Sequence, residues 1–216
     1  MFLRKDDSNE INVSIVGGSY IGKTTLFNKI FNMSLTENKA AYYNFCKKKE
    51  IDIEGKKYIL NIYDTPGYDS EILTKEIAMK YSDIIIFIYK TNQLNTFDYI
   101  KLLYETLNHP KYNKILQYYN SSLGKGEDIY KSFAIIGNIY NDYNSYDYYN
   151  YEDDEQIKAF ANSINAKYID ISFENASYFE IEEILIQLVK EHLNCLKIKN
   201  YDKFNELIKL NKYCNY

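Results

Sequence analysis

Tryptophan is absent from the 216 residues, proline occurs twice, glycine eight times and cysteine three times. Tyrosine, by contrast, occurs 25 times, and the abundant types (Tyr, Asn, Ile, Lys) share AT-rich codons, so the bias reads as genomic rather than functional. The cysteines Cys46, Cys195 and Cys214 are odd in number and lack metal-ligand spacing, which argues against a disulfide framework or zinc site and for a reduced, cytoplasmic chain. Basic excess is missing too. A formal charge of −4 leaves no electrostatic footprint for nucleic acid. The longest apolar run, 84–89, is far short of the ~20 residues that span a bilayer, and Asp6, Asp7 and Glu10 interrupt any early apolar stretch, so no secretory leader is expected. Membrane contact, if the protein makes any, is expected to be peripheral, on an intracellular surface.

Scarce glycine makes each glycine more informative. Gly17-Gly18-Ser19-Tyr20-Ile21-Gly22-Lys23-Thr24 satisfies G-x-x-x-x-G-K-[ST] at every fixed position. It follows the apolar, β-branched run Ile11, Val13, Ile15, Val16 and leads into the helical spacing Leu26, Phe27, Ile30, Phe31. Strand, glycine loop, then helix is the setting in which this pattern binds phosphate. The glycines let successive N–H groups turn inward, and the following helix adds its free N–H groups and positive dipole end. In such a loop Gly17, Gly18, Ser19, Gly22, Lys23, Thr24 and Thr25 line the phosphates. Lys23 reaches the terminal phosphates and the Thr24 hydroxyl holds a magnesium ion.

Taken in order, residues 1–9 read as a polar arm, 10–16 as a strand, and the helix after the loop as reaching 32. Residues 33–45 have no period. Strands at 47–53 and 57–63 flank Glu54-Gly55 as an antiparallel hairpin. A helix is predicted over 71–81, a buried strand over 83–89, a helix over 96–107, a strand over 133–137, a helix over about 154–164, a strand over 168–171 and a long helix over about 178–196. Segments 108–131 and 139–153, the second rich in Tyr, Asn and Asp, read as insertions. Residues 197–216 read as a C-terminal tail, in which Phe204, Leu207 and Ile208 have the spacing of a short helix. The alternation predicts an α/β domain over 10–196: a mostly parallel six-stranded sheet with one antiparallel hairpin strand and helices on both faces. Ligands of such sheets sit at the carboxyl ends of the strands. His109 and His192 belong to no paired carboxylate or nucleophile pattern and read as surface or helix-end residues.

Asp64, 41 residues after Lys23, ends a strand in Asp64-Thr65-Pro66-Gly67. A carboxylate there suits a magnesium ion held through water, and the Gly67 N–H suits a terminal phosphate. With this motif in place, the chain resembles the Ras superfamily of small GTPases over roughly 10–196, and its Rab and Ras branches most. The resemblance rests on GGSYIGKT, the spacing to DTPG, the hairpin KKKEIDIEGKKYILNIYDTPG, the stretch IIIFIYKTNQLNTFDYIKLLYETL, and AIIGNIYND where the family carries its guanine motif. It implies the three-layer P-loop NTPase fold, GTP/GDP with Mg²⁺, and two switch loops ordered by the γ-phosphate that bind effectors and regulators. It also implies a monomeric nucleotide-dependent switch in vesicle traffic or signalling.

Departures from the family pattern sit in the catalytic and base-binding places. The guanine motif N-K-x-D reads Asn138-Ile139-Tyr140-Asn141 here, and Asn141 brings an NH2 where a carboxylate would accept the guanine donors. Asp142 stands one residue later and would substitute if the loop bulged. Ile139 offers an apolar surface in place of a lysine stem. The S-A-K place holds Ser172-Phe173-Glu174, whose backbone can reach the base oxygen. Tyr68 occupies the place of the water-positioning Gln, so Lys23 and Tyr68 are the catalytic positions and slow hydrolysis is expected. The first-switch Thr has no counterpart, its place falling on Ala41 or Tyr42 with Thr36 upstream. Cys214, in the terminal Cys-Asn-Tyr, is an incomplete prenylation signal. The rival expectation is a pseudo-GTPase: an interaction scaffold on the same fold that binds nucleotide weakly or constitutively.

Overall fold

A computed structural model describes residues 9–33, 45–67, 72–108, 131–140 and 151–213. In chain order the elements are β1 (Glu10–Val16), α1 (Lys23–Ile30), β2 (Phe45–Ile53), β3 (Lys56–Asp64), α2 (Ile72–Tyr81), β4 (Ile84–Lys90), α3 (Asn95–Asn108), β5 (Ser132–Asn138), α4 (Tyr151–Ser163), β6 (Ala166–Ile171) and α5 (Tyr178–Tyr213). The expected fold class holds. One six-stranded sheet runs β2-β3-β1-β4-β5-β6, with the β2–β3 pair antiparallel and every other pair parallel.

Why both faces are covered is visible in β4. Ile84, Ile86 and Ile88 enter one core with Leu26, Phe27 and Ile30 of α1 and Leu185, Leu188 and Val189 of α5. Ile85, Phe87 and Tyr89 enter a second core with Met79 of α2, Phe97, Ile100 and Leu103 of α3, and Ile157 and Ala161 of α4. A strand buried on both sides has to be apolar at every position, which is the unbroken run seen in the sequence. The edge is handled differently. β2 carries Lys47, Lys48 and Lys49, charges that discourage a further strand from adding there. Its turn to β3 is left-handed at both Glu54 and Gly55, the backbone of a tight hairpin.

α5 begins in a capping box: the Ser177 hydroxyl accepts from the Glu180 N–H at 3.2 Å, and the Glu180 carboxylate accepts from the Ser177 N–H at 2.8 Å. Its far end differs from expectation. The helix does not stop near residue 196 but continues unbroken to Tyr213, so most of the segment read as a tail is helical and continuous with α5. α4 likewise starts at Tyr151, inside the stretch read as insertion. His192 departs from the surface reading. It is buried, with Nδ1 2.9 Å from the Ser132 hydroxyl, and joins α5 to the start of β5. Most of the two insertions, the 34–44 segment with Thr36, Ala41 and Tyr42, and also His109 and Cys214, lie outside the described residues. Among the described residues no helix is long and apolar enough to cross a membrane.

Candidate functional site

Parallel strands put β1, β3, β5 and β6 carboxyl-end up at one pole, where the glycine loop and Ser172 directly follow β1 and β6, and Asp64 and Asn138 end β3 and β5. The loop's conformation is built by local residues. Gly22 caps α1 with φ 99°, and a methyl placed on it would lie 2.5 Å from Asn138 Nδ2 and 3.0 Å from Phe173 Cδ2. Only glycine suits both that left-handed backbone and that space. Gly17 is buried, Gly18 and Ser19 are half-buried, and Thr25 is half-buried in the first turn of α1.

Lys23 is 6 % exposed, and its ammonium donates to the Gly18 carbonyl, folding the side chain back over its own loop. Burial brings its pKa down to about 8. The Asp64 carboxylate opposes that shift, and the nearby Lys75 ammonium adds to it. The Thr24 hydroxyl donates to Asp64 Oδ2 at 2.7 Å. Asp64 is 2 % exposed, and its second oxygen, Oδ1, has no hydrogen-bond partner. Burial pushes its carboxyl pKa up, against the pull of Thr24 and Lys23.

A buried carboxylate oxygen without a partner is costly, by about 1–3 kcal/mol or more for a charged group. It lies beside a hydroxyl oxygen and at the mouth of a phosphate-type loop. Two hard oxygen donors of this kind suit magnesium, which prefers one or two protein oxygens and completes its octahedron with water and phosphate. The residues therefore fit both groups that the motif implies, a polyphosphate at the loop and Mg²⁺ at Thr24 and Asp64.

The segment after Asp64 is held against β1. Thr65 donates to the Ile15 carbonyl through its hydroxyl at 2.8 Å, and its N–H donates there at 3.3 Å. Gly67 consequently packs on the phosphate loop: a methyl on it would sit 2.7 Å from Ser19 Cα and 3.2 Å from Lys23 Nζ. Gly67 and Lys23, distant in sequence, thus meet. Tyr68 lies outside the described residues.

On the other side of the loop, Asn138 is a bridge. Its amide donates to the Ile21 carbonyl at 3.0 Å, and its Oδ1 accepts the Phe173 N–H at 3.0 Å, all buried. The Phe173 ring is 1 % exposed and belongs to the α1/α5 core. Its bulk is thus absorbed by the core. The expectation that its backbone is available to a base oxygen meets a competitor, because that N–H is already donated to Asn138. Ser172 caps the next turn, its carbonyl accepting from Ala176 N–H at 2.8 Å. Ile139 stays 38 % exposed, with its backbone N–H given to Ile171 at 3.0 Å. Asn141 and Asp142 lie outside the described residues.

Three residues that the motifs did not flag also touch the site. Lys29 of α1 donates to the Glu174 carbonyl at 3.0 Å and to that of Ala176, holding the loop after β6. Lys75 of α2 donates to the Gly67 carbonyl at 3.0 Å and to the hydroxyl of Tyr99, on α3, at 2.8 Å. A signal for Lys75 was available. It stands three and four residues before Ala78 and Met79, on the buried stripe of its helix, where a lysine is out of place.

Comparison with known proteins agrees with this geometry. The family described as "Ras family" matches residues 12–194. Ras-like protein 1 of Saccharomyces cerevisiae is 22% identical over 191 residues, 86% of this chain and 53% of that protein. GTP-binding protein YPTC5 of Chlamydomonas reinhardtii is 29% identical over 89 residues, 41% of this chain and 43% of that protein. Ras-like protein family member 11B of Danio rerio is 22% identical over 104 residues, 45% of this chain and 43% of that protein. The chain spans about half the length of the curated relatives it matches. With the family match covering most of its length, and the phosphate loop, Asp64 and Gly67 gathered at one pole of the family's sheet, the chain belongs to the Ras family.

Proposed function

We propose that this protein is a GTP/GDP-binding switch of the Ras or Rab kind with slow intrinsic hydrolysis, working in vesicle traffic or signalling within the cytoplasm. One observation carries the reading. Lys23, the Thr24–Asp64 pair and Gly67 converge on a single cradle, with Asp64 Oδ1 buried and without a hydrogen-bond partner. In this reading residues 17–25 wrap the phosphates, with backbone N–H groups as the donors. Lys23 leaves the Gly18 carbonyl for the β- and γ-phosphates. Thr24 and Asp64 hold Mg²⁺, which when bound neutralises charge on the phosphate oxygens. Gly67 meets the terminal phosphate, so its loop and the 34–44 segment are the surfaces that effectors and regulators read. Tyr68, a phenol where an amide would orient water, keeps hydrolysis slow.

The working unit is 10–196, with 1–9 as an arm and 197–216 as the attachment that carries Cys214 toward a membrane surface; the unit acts as a monomer. A second reading is favoured by a specific contact. Phe173 N–H is donated to Asn138, and Asn141 replaces an acidic base ligand, which together suit a pseudo-GTPase scaffold with weak or constitutive nucleotide binding. Chromatography of the nucleotide released on denaturing the purified protein separates the two. Stoichiometric GDP or GTP that exchanges with added nucleotide supports the switch, whereas bound nucleotide that does not exchange, or protein that carries none and takes up none, supports the scaffold.

A further inference from the structure

Among the described residues two lysines are buried, Lys23 at 6 % exposure and Lys75 at 0 %. The phosphate loop explains the first. The second sits on α2, next to the buried Glu76 and one turn before the buried Ala78 and Met79. Burying an ammonium costs several kcal/mol unless it is well bonded, so an apolar residue would suit a purely structural position better. What Lys75 touches is informative. Its Nζ donates to the Gly67 carbonyl at 3.0 Å and to the Tyr99 hydroxyl at 2.8 Å, lying 5.0 Å from the Tyr99 ring centroid. The same ring lies against the phosphate loop, where a methyl on Gly18 would be 3.9 Å from Tyr99 Cδ1. α2 and the phosphate loop therefore meet at Tyr99 of α3, and Lys75 and the loop both reach Gly67.

A carbonyl held in place fixes ψ of its own residue. Gly67 is the freest residue of the Asp64–Gly67 turn, and it packs within contact of Ser19 and Lys23. Resting on the nucleotide-binding reading above, we propose that Lys75 is a positioning residue for the terminal phosphate: with Tyr99 it holds the Gly67 peptide in the orientation that a nucleoside triphosphate engages and a diphosphate does not. The switch would then be wired through a lysine of α2, so that loss of the third phosphate frees Gly67 and with it the helix.

The consequence is selective. Lys75→Met, similar in length and uncharged, weakens a non-hydrolysable GTP analogue with magnesium by roughly 10- to 100-fold, the loss expected of one charge-assisted hydrogen bond. GDP stays within about threefold, because Gly67 is not engaged. Tyr99→Phe shifts the same ratio in the same direction by a smaller factor and serves where Lys75→Met does not fold, as judged by circular dichroism. A Lys75 that only staples the fold would weaken both nucleotides alike. Equal losses, or no change in either variant, overturn the proposal while wild-type binding leaves the nucleotide reading standing.

Inorganic tripolyphosphate with magnesium, titrated calorimetrically, keeps the two ideas apart. Wild type that binds tripolyphosphate but no guanine nucleotide, with that binding lost in Lys75→Met, supports Lys75 and refutes the guanine reading. If tripolyphosphate binding survives the substitution, the Lys75 proposal falls. Wild type that binds neither ligand overturns both.

Discussion

Replacing Gly22 with alanine strikes the junction between the phosphate loop and the base-side loop, and its cost can be worked from the contacts. The residue has φ 99°, where a side chain costs about 1–2 kcal/mol. The new methyl would also fall 2.5 Å from Asn138 Nδ2, so the amide has to move. Moving it strains or breaks the bonds to the Ile21 carbonyl and the Phe173 N–H, both 3.0 Å, each worth about 0.5–1.5 kcal/mol net. The sum is about 2–5 kcal/mol, roughly a 4–20 °C drop in Tm for a domain of this size. Asn138→Ala removes the amide that the methyl would strike. In that background Gly22→Ala keeps only its backbone strain and the 3.0 Å approach to Phe173 Cδ2, about 1–2 kcal/mol. The double mutant is therefore less destabilised than the sum of the singles, by about 1–3 kcal/mol. Urea denaturation of the four proteins, followed by circular dichroism, measures this. Strictly additive costs would show that Gly22 and Asn138 do not share the contact, and the account of how the two loops are joined would fail.

Single-turnover hydrolysis should proceed no faster than roughly 10⁻³ s⁻¹, the order of an unassisted small GTPase, and Tyr68→Gln should raise it only in part. A wild-type rate near ~1 s⁻¹ without a partner would mean that another residue orients the water. For the base, if Asn141 takes the place of the family's Asp, its NH2 would meet the guanine 2-amino group donor to donor, a loss of about 1–3 kcal/mol or roughly 5- to 150-fold. Weak GTP-over-ATP preference, comparatively good XTP binding and a guanine preference restored by Asn141→Asp are expected in competition assays. Strong GTP preference erased by Asp142→Ala would instead assign the contact to Asp142.

Most of the fold was legible because its signals are local. The unbroken run of β4 could only be a strand buried on both faces, and Gly22-Lys23-Thr24 could only follow a strand and open a helix in that setting. Helix ends were read less well. α5 passes through Lys197 and on to Tyr213 without a glycine or proline to stop it, and composition alone suggested a tail. His192 was misread because burial of a histidine depends on a partner 60 residues away, Ser132. In the site, the cradle residues declared themselves by motif. Lys75 and Tyr99 did not, because the contacts of Lys75 with Gly67 and with Tyr99 depend on how α2 and α3 pack in the fold. The fate of the Phe173 N–H was equally hidden. Both Asn138 and the Phe173 backbone were read as facing a base, and only the folded backbone shows them bonded to each other.

The claim that the whole account stands on is that residues 17–24, Asp64 and Gly67 form a working phosphate site, and one titration addresses it. Isothermal calorimetry of GTP with magnesium against wild type and Lys23→Ala should give saturable wild-type binding. The variant should lose at least roughly 100-fold, as expected when a buried cation is taken from a polyphosphate, with an unchanged circular-dichroism spectrum. Wild type without affinity at millimolar GTP, or a Lys23→Ala protein that binds as wild type does, would contradict it.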